Sequence, residues 1–261
     1  MTYETIKVTE PQPGITVITF ARPDVANALS TQMAQDLLDI WSKLRGGDAA
    51  LRCVILAGEG RHFQAGADLK ERNGMTDEAW AEQHRLFEAM VRAQLACPVP
   101  IIAAVQGAAM GGGCEMSLAC DFTYAAEGAR FGLPEAGLGI MPGLGGTQLL
   151  TRAVGPRRAI EIMTTAAPFT AEKALEWGLV SAVVPAEALM DTVLAVAAQI
   201  ASRAPLSVRG LKRVVHGGQD LDLKRAMDLE LTIYNSLFTT QDRREGVASF
   251  NEKRTPAFRG E

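Results

Sequence analysis

In PIIAAVQGAAMGGGCEMSLACD, residues 100–121, an apolar run gives way to three glycines and then to a glutamate, inside what reads as a buried helix. The run at 101–107 has no polar face, as expected of a parallel strand covered on both sides. Gly111, Gly112 and Gly113 then remove side chains where a helix begins, so bare backbone amides face the open end of the strand. Such amides suit an anion or a developing negative charge. The spacing fits neither GxxxxGK[ST] nor GxGxxG, and the chain has no Gly-Lys dipeptide, so a nucleotide cradle is disfavoured. Taken alone, the glycines serve close strand–helix packing equally well.

The neighbouring segments alternate between the two periods. CVILAG at 53–58 reads as a second buried strand, and a helix over 77–96 separates it from the first. Residues 3–8 and 14–20, separated by EPQPG, read as an opening hairpin. From Ser30 as N-cap, STQMAQDLLDIWSKL sets Met33, Leu37, Ile40, Trp41 and Leu44 on one helical face, and Gly46 and Gly47 end it. The expected class is α/β. Beyond residue 150 the pattern turns helical. FTAEKALEWG reads as a helix capped by Thr170 and stopped by Gly178, LVSAVVP as a short strand, and EALMDTVLAVAAQIASRA as an amphipathic helix. Three more helical stretches fall near 205–216, 220–238 and 241–253, and Leu229, Ile233 and Leu237 give the second of them an apolar face for a core or a neighbouring subunit.

Composition narrows the function classes. With 261 residues, 48% of them hydrophobic, the chain can form one large domain, or one domain with an appendage. A net charge of −4 and no lysine or arginine run argue against a nucleic-acid partner. Cys53, Cys97, Cys114 and Cys120 form no CxxC pair and His62, His84 and His216 are scattered, so neither zinc nor a disulfide framework is expected. A reduced, cytoplasmic protein is the plain reading. MTYETIKVTE carries charges where a signal peptide needs an apolar region, and no run reaches the length of a bilayer span, so no membrane association is expected.

Two acids stand in apolar, glycine-flanked settings: Glu115 in the opening stretch and Glu135 in FGLPEAGLGIMPGLGG. Apolar surroundings raise a carboxyl pKa into the range useful for proton transfer, although most acids in a chain are solvated or capping groups. A third small-residue turn, in RHFQAGADLKER at 61–72, follows the strand CVILAG, and three such loops at strand ends would meet in one crevice.

FQAGADLKE, GAAMGGGCEMSLACD and FGLPEAGLGIMPGLGGTQLLTRAVG resemble the three signature segments of the enoyl-CoA hydratase (crotonase) superfamily, in its order and at its spacing. ARPDVANALS and SFNEKRTPAFRG extend the resemblance over nearly the whole chain. It implies a spiral of strand-strand-helix units over 1–195 carrying the active site, then a helical region over 196–261 that assembles trimers or hexamers. It also implies chemistry on an acyl-CoA thioester through an enolate, with the amides of Ala67 and Gly112 holding the thioester oxygen. Glu115 and Glu135, twenty residues apart as in the family's hydratases, would activate one water for attack at Cβ and deliver a proton to Cα. Water would add syn, with no metal and no cofactor, coenzyme A being part of the substrate. Gly143 matches the position whose amide helps fix the second glutamate. For the coenzyme A portion, Ala65, Ala67, Asp68 and Leu69 match the loop that cups adenine, with Ala26 opposite, while Phe250 and Lys253 match positions completing a neighbouring subunit's pocket.

The chain departs from the family at Ala21, where asparagine is usual, and at Gln64, where small residues or cysteine are common; neither is expected to touch the catalytic set. GADLKER together with NALS is similar to the methylglutaconyl-CoA hydratase branch, some of whose members bind RNA through a lysine-rich first helix. STQMAQDLLDIWSKL has one lysine, so RNA binding is not carried over. Two other readings stay open: an enoyl-CoA isomerase that retains both acids, and a non-catalytic acyl-CoA- or protein-binding module. Acyl length and branching would be set by side chains from 72–90 and the C-terminal helices.

Overall fold

Two-sided burial organises the main sheet of this computed structural model, which describes residues 3–46 and 49–261; Gly47, expected to help end the first helix, lies outside them. Strands β1 (Ile6–Gln12) and β2 (Ile15–Phe20) form the expected antiparallel hairpin, Ile6 opposite Phe20 and Gln12 opposite Ile15. Gly14 turns it at φ +77°, where a Cβ would lie 2.6 Å from the Ala50 carbonyl oxygen. Along the chain follow β3 (Cys53–Gly58), β4 (Ile101–Val105), β5 (Ala108–Met110), β6 (Phe122–Ala126), β7 (Arg130–Gly132), β8 (Phe169–Thr170) and β9 (Ala182–Val184). Parallel pairing from β2 onward gives a six-stranded sheet in the order β1-β2-β3-β4-β6-β9; β5, β7 and β8 form a smaller sheet in that order.

Strands β3 and β4 read as unbroken apolar runs because both faces are covered. On one face Val54, Leu56, Ile101 and Ala103 join Leu37 and Trp41 of the helix Thr31–Arg45 and Phe87 and Met90 of the helix Asp77–Leu95. On the other, Ile55, Ile102 and Ala104 meet Leu189, Val193 and Ala197 of the helix Leu189–Ala201. The helix starts follow side-chain chemistry: Ser30, Thr76 and Thr170 each accept an amide hydrogen bond from the third residue onward. A boundary at 195 therefore falls inside a helix whose Val193 and Ala197 are fully buried against the main sheet.

The remaining helices are Pro205–Gly218, Leu223–Leu237 and Gln241–Glu252. Asp121, which closes the opening stretch, fastens the first of them to the sheet. Its carboxylate receives Lys212 Nζ at 2.7 Å, His216 Nε2 at 2.6 Å and the Ile101 amide at 2.7 Å. The stripe Leu229, Ile233, Leu237 faces this helix: a Cβ on Gly210 would come within 2.9 Å of Ile233, and one on Gly217 within 3.1 Å of Leu229. Those residues close an intramolecular pair. The opposite stripe, Leu223, Met227, Leu231, Tyr234 and Phe238, is more than half exposed at every position. Among the described residues no helix is long and apolar enough to cross a membrane.

Candidate active site

The three glycines of the opening stretch answer three different demands. Gly111 sits at φ +52°, and a Cβ there would lie 3.0 Å from Glu135 Oε1. Gly113 is pressed against the preceding loop, since a Cβ would fall 2.2 Å from the Gln64 carbonyl oxygen. Gly112 meets neither constraint. A Cβ there would make ordinary contacts, 3.4 Å to Leu144 and 3.8 Å to Leu29, and its backbone is helical. Nothing inside the chain requires a glycine at 112; its side faces a cavity of about 700 Å³.

Three loops line that cavity, as the sequence led one to expect: Ala65–Leu69 after β3, Gly111 and Gly112 after β5, and the segment from Pro134 to Leu144. Ala67 and Gly112 both line it, and neither of their amides donates a hydrogen bond within the described residues. Backbone contact holds their loops together, a Cβ on Gly66 coming within 3.7 Å of Gly111 Cα. The Gly66 amide donates to Gln64 Oε1 at 2.8 Å, and the Gln64 carbonyl accepts the Met110 amide at 3.0 Å. Gln64 is fully buried and ties the two amide-bearing loops to each other, although its hydrogen bonds go to Gly66, Met110 and Ala108 rather than to the expected catalytic residues. A long polar side chain between strand and turn, where a small residue is usual, was the available signal.

Glu115, 2% exposed, projects from the helix Gly112–Leu118. Its Oε1 accepts the amides of Leu144 at 2.7 Å and Gly146 at 2.8 Å. Burial pushes its pKa up to about 7, against the lowering influence of those amides and the Gly143 backbone; the nearby Glu135 charge adds to the rise. Gly143, expected to help fix Glu135, lines the cavity beside both acids. Glu135 stands in the one-turn helix Glu135–Leu138, 8% exposed; burial raises its pKa as well, and its Oε2 has no hydrogen-bond partner. Burial thus pushes both carboxyls on this cavity toward their protonated forms.

That burial carries a stability consequence of definite sign. A carboxyl raised from 4.5 to about 7 holds its proton more tightly folded than unfolded, so its contribution to stability declines as pH climbs through that window. Glu115→Gln keeps an oxygen for the two amides and has no charge to desolvate. Its Tm should exceed that of the wild type by several degrees at pH 8, corresponding to roughly 2 kcal/mol, with the gap narrowing toward pH 5. Calorimetry that finds the variant less stable at pH 8 contradicts this account of the burial.

The coenzyme A expectations divide. Ala65, Ala67 and Leu69 line the cavity. Ala26 is joined to that loop, its carbonyl accepting the Ala65 amide at 3.1 Å, without itself lining the wall. Asp68 is turned to local scaffolding: it caps Leu69–Arg72 and pairs with Arg22 at 3.0 Å. Phe250, 84% exposed, and Lys253 lie at the end of the last helix, away from the cavity of their own chain. The sequence reading missed the amides of Leu144 and Gly146; the stretch 72–90, expected to shape the acyl pocket, supplies a wall formed by Trp80, His84 and Phe87 of the helix Asp77–Leu95, whose spacing places them on one face.

Known proteins share this framework over its full length. A family described as Enoyl-CoA hydratase/isomerase matches residues 10–261. A crotonyl-CoA hydratase of Syntrophomonas wolfei is 39% identical, covering 99% of this chain and 99% of its own. A 2,3-dehydroadipyl-CoA hydratase of Escherichia coli is 37% identical, over 95% of this chain and 96% of its own. The crystal structure of an enoyl-CoA hydratase from Bacillus anthracis superimposes with a TM-score of 0.97 at 40% identity, covering 99% of this chain and 100% of that one. With the family model matched over residues 10–261 and relatives close to 40% identical end to end, the chain belongs to the enoyl-CoA hydratase/isomerase family.

Proposed function

We propose that the protein adds water reversibly across the double bond of 2-enoyl-CoA thioesters. The observation that carries this reading is the meeting, on one cavity, of two buried carboxyls with raised pKa values and two unengaged backbone amides. The amides of Ala67 and Gly112 receive the thioester oxygen, and each preorganised donor of this kind contributes about 2.7–4 kcal/mol once charge develops there. Glu115, its Oε1 locked by two amides, holds water with its other oxygen. The water oxygen bonds to Cβ while its proton passes to Glu115, and the π electrons move through Cα into an enolate held by the two amides. Glu135 then protonates Cα, and proton exchange resets the pair before the next turnover. No step calls for a metal or a cofactor, because coenzyme A arrives as part of the substrate.

An isomerase would move a proton between carbons and need one acid, leaving the amide-locked Glu115 idle. The assay that tests the reading follows loss of enoyl-thioester absorbance over a panel of 2-enoyl-CoAs from about C4 to C16, with the 3-hydroxyacyl product identified. Hydration of at least one member is expected, and none across the panel overturns it.

The same proposal covers assembly and location. The exposed stripe from Leu223 to Phe238 is more apolar surface than a lone subunit leaves to water, which supports a trimer or a dimer of trimers in which Phe250 and Lys253 complete a neighbour's coenzyme A pocket. Light scattering at micromolar concentration should return a trimer or hexamer; a stable, active monomer refutes the assembly and the cross-subunit role together. Four unpaired, buried cysteines favour a reducing compartment, the cytoplasm.

A further inference from the structure

We propose that Arg72 makes the interior wall of the cavity a carboxylate subsite, so that the preferred thioesters carry a second carboxylate at the far end of the acyl chain. The proposal rests on the hydratase reading for its reaction, and on the following geometry for its ligand.

Arg72 is the one guanidinium or ammonium group lining the cavity among the described residues, and most of the remaining lining is apolar. Its guanidinium is fixed. The Cζ lies 4.2 Å from the centre of the Trp80 ring and 5.3 Å from that of Phe87, and Nε donates to Gln83 Oε1 at 2.8 Å. Gln83, itself buried, is held in turn through its Nε2 by Thr31 Oγ1 at 2.9 Å and Glu71 Oε2 at 3.3 Å. Stacking and the Nε bond settle the plane of the fork. They leave Nη1 and Nη2 with no hydrogen bond or ion pair among the described residues.

The carboxylates at hand do not neutralise this group. Glu71, its neighbour in the chain, is turned to the Thr31 amide at 2.9 Å, and no carboxylate lies within ion-pair distance of Arg72. Glu115 is locked to the Leu144 and Gly146 amides. Burial meanwhile works against the charge of Arg72, and the Glu71 charge offsets that only in part. A half-buried cation with two free parallel donors is short of an acceptor, and a planar carboxylate fits that fork with two hydrogen bonds.

Position indicates which part of the substrate supplies it. Leu69, on the loop matched to adenine, is 51% exposed, whereas Arg72 is flanked by Phe87 at 2% and Gln83 at 4%. The polar, bulky coenzyme A belongs at the exposed mouth, and the acyl chain at the buried side where Arg72 lies.

Equilibrium binding of unreactive saturated thioesters tests this without turnover. Succinyl-, glutaryl- and adipyl-CoA are compared with butyryl-, pentanoyl- and hexanoyl-CoA by calorimetry on the wild type, Arg72→Met and Arg72→Lys. At one or more chain lengths the carboxylated ligand should bind the wild type at least about 10-fold tighter, the scale of hydrogen bonds to a charged group. Arg72→Met should bring the ratio to within about threefold while leaving the uncharged ligands within about threefold of wild type, and Arg72→Lys should retain part of the preference. No preference in the wild type at any length overturns the proposal. So does an equal loss for both ligand classes in Arg72→Met, the result expected if the guanidinium holds a coenzyme A phosphate or only packs. Failure to hydrate any enoyl-CoA would overturn the hydratase reading instead and leave these affinities to stand or fall separately.

Discussion

Gly112→Val should abolish turnover while the fold survives, and Gly113→Ala should do the reverse of sparing the fold. A Cβ at 112 meets only Leu144 and Leu29 at ordinary contact distances, so the backbone accommodates a side chain there, but the atoms beyond Cβ enter the cavity face where the thioester must approach the amide. Valine keeps the amide but bars the thioester oxygen from it, and losing one oxyanion contact lowers kcat about 10²–10³-fold. Tm should stay within a few degrees, the penalty of a β-branched residue in the first turn of a helix being small. At 113 even one methyl would lie 2.2 Å from a backbone oxygen of the Gln64 loop, which cannot retreat as a flexible side chain would. Forcing it in should lower stability by about 2 kcal/mol or more, a Tm drop of several degrees. Kinetics and calorimetry on the two variants separate the roles. Near wild-type turnover in Gly112→Val would remove the Gly112 amide from the reaction.

How far the sequence spoke depended on whether a feature had a period or a chemical signature of its own. The buried strands at 53–58 and 101–105 declared themselves because a strand covered on both faces has no polar alternation to lose. Ser30 and Thr170 marked helix starts because a side-chain oxygen there satisfies an amide that the helix leaves open. The small sheet was illegible for the opposite reason: β5 and β7 have three residues each and β8 has two, too short for any period, and their pairing is set by the chain around them. The helices Gly146–Val154 and Pro156–Thr165 are separated by one residue, Gly155, at φ +79°, within a motif that drew attention to its glycines instead.

Glu115, Glu135, Ala67 and Gly112, named from the residues together with the family resemblance, line one cavity. Their supports were not so named. That the loop after Glu135 returns its amides at 144 and 146 to Glu115 is a tertiary fact, as is the reach of Gln64 between two loops. The apolar stripe of the helix Leu223–Leu237 shows the same limit. Periodicity identified Leu229, Ile233 and Leu237 as a face, but the glycines of the partner helix decide that this face turns inward and the other stays open.

The largest kinetic effects should come from the two acids. Glu115→Gln and Glu135→Gln each keep the shape of the side chain and remove its proton chemistry, so each should lower kcat by about 10²–10⁴-fold with little change in thioester binding. The double variant should fall far short of the product of the two losses, since groups that share one water fail together. The pH profile follows from the raised pKa of Glu115. With that acid as base, kcat/KM should fall as pH drops through about 7, where Glu115 gains its proton.

Hydration of crotonyl-CoA, or of whichever enoyl-CoA the wild type turns over best, by the wild type and Glu115→Gln side by side therefore tests the central claim most directly. The two-acid account predicts rapid hydration by the wild type and a loss of at least about 10²-fold in Glu115→Gln at unchanged thioester affinity. A fully active Glu115→Gln would contradict it, leaving Glu135 to act alone as an isomerase would require.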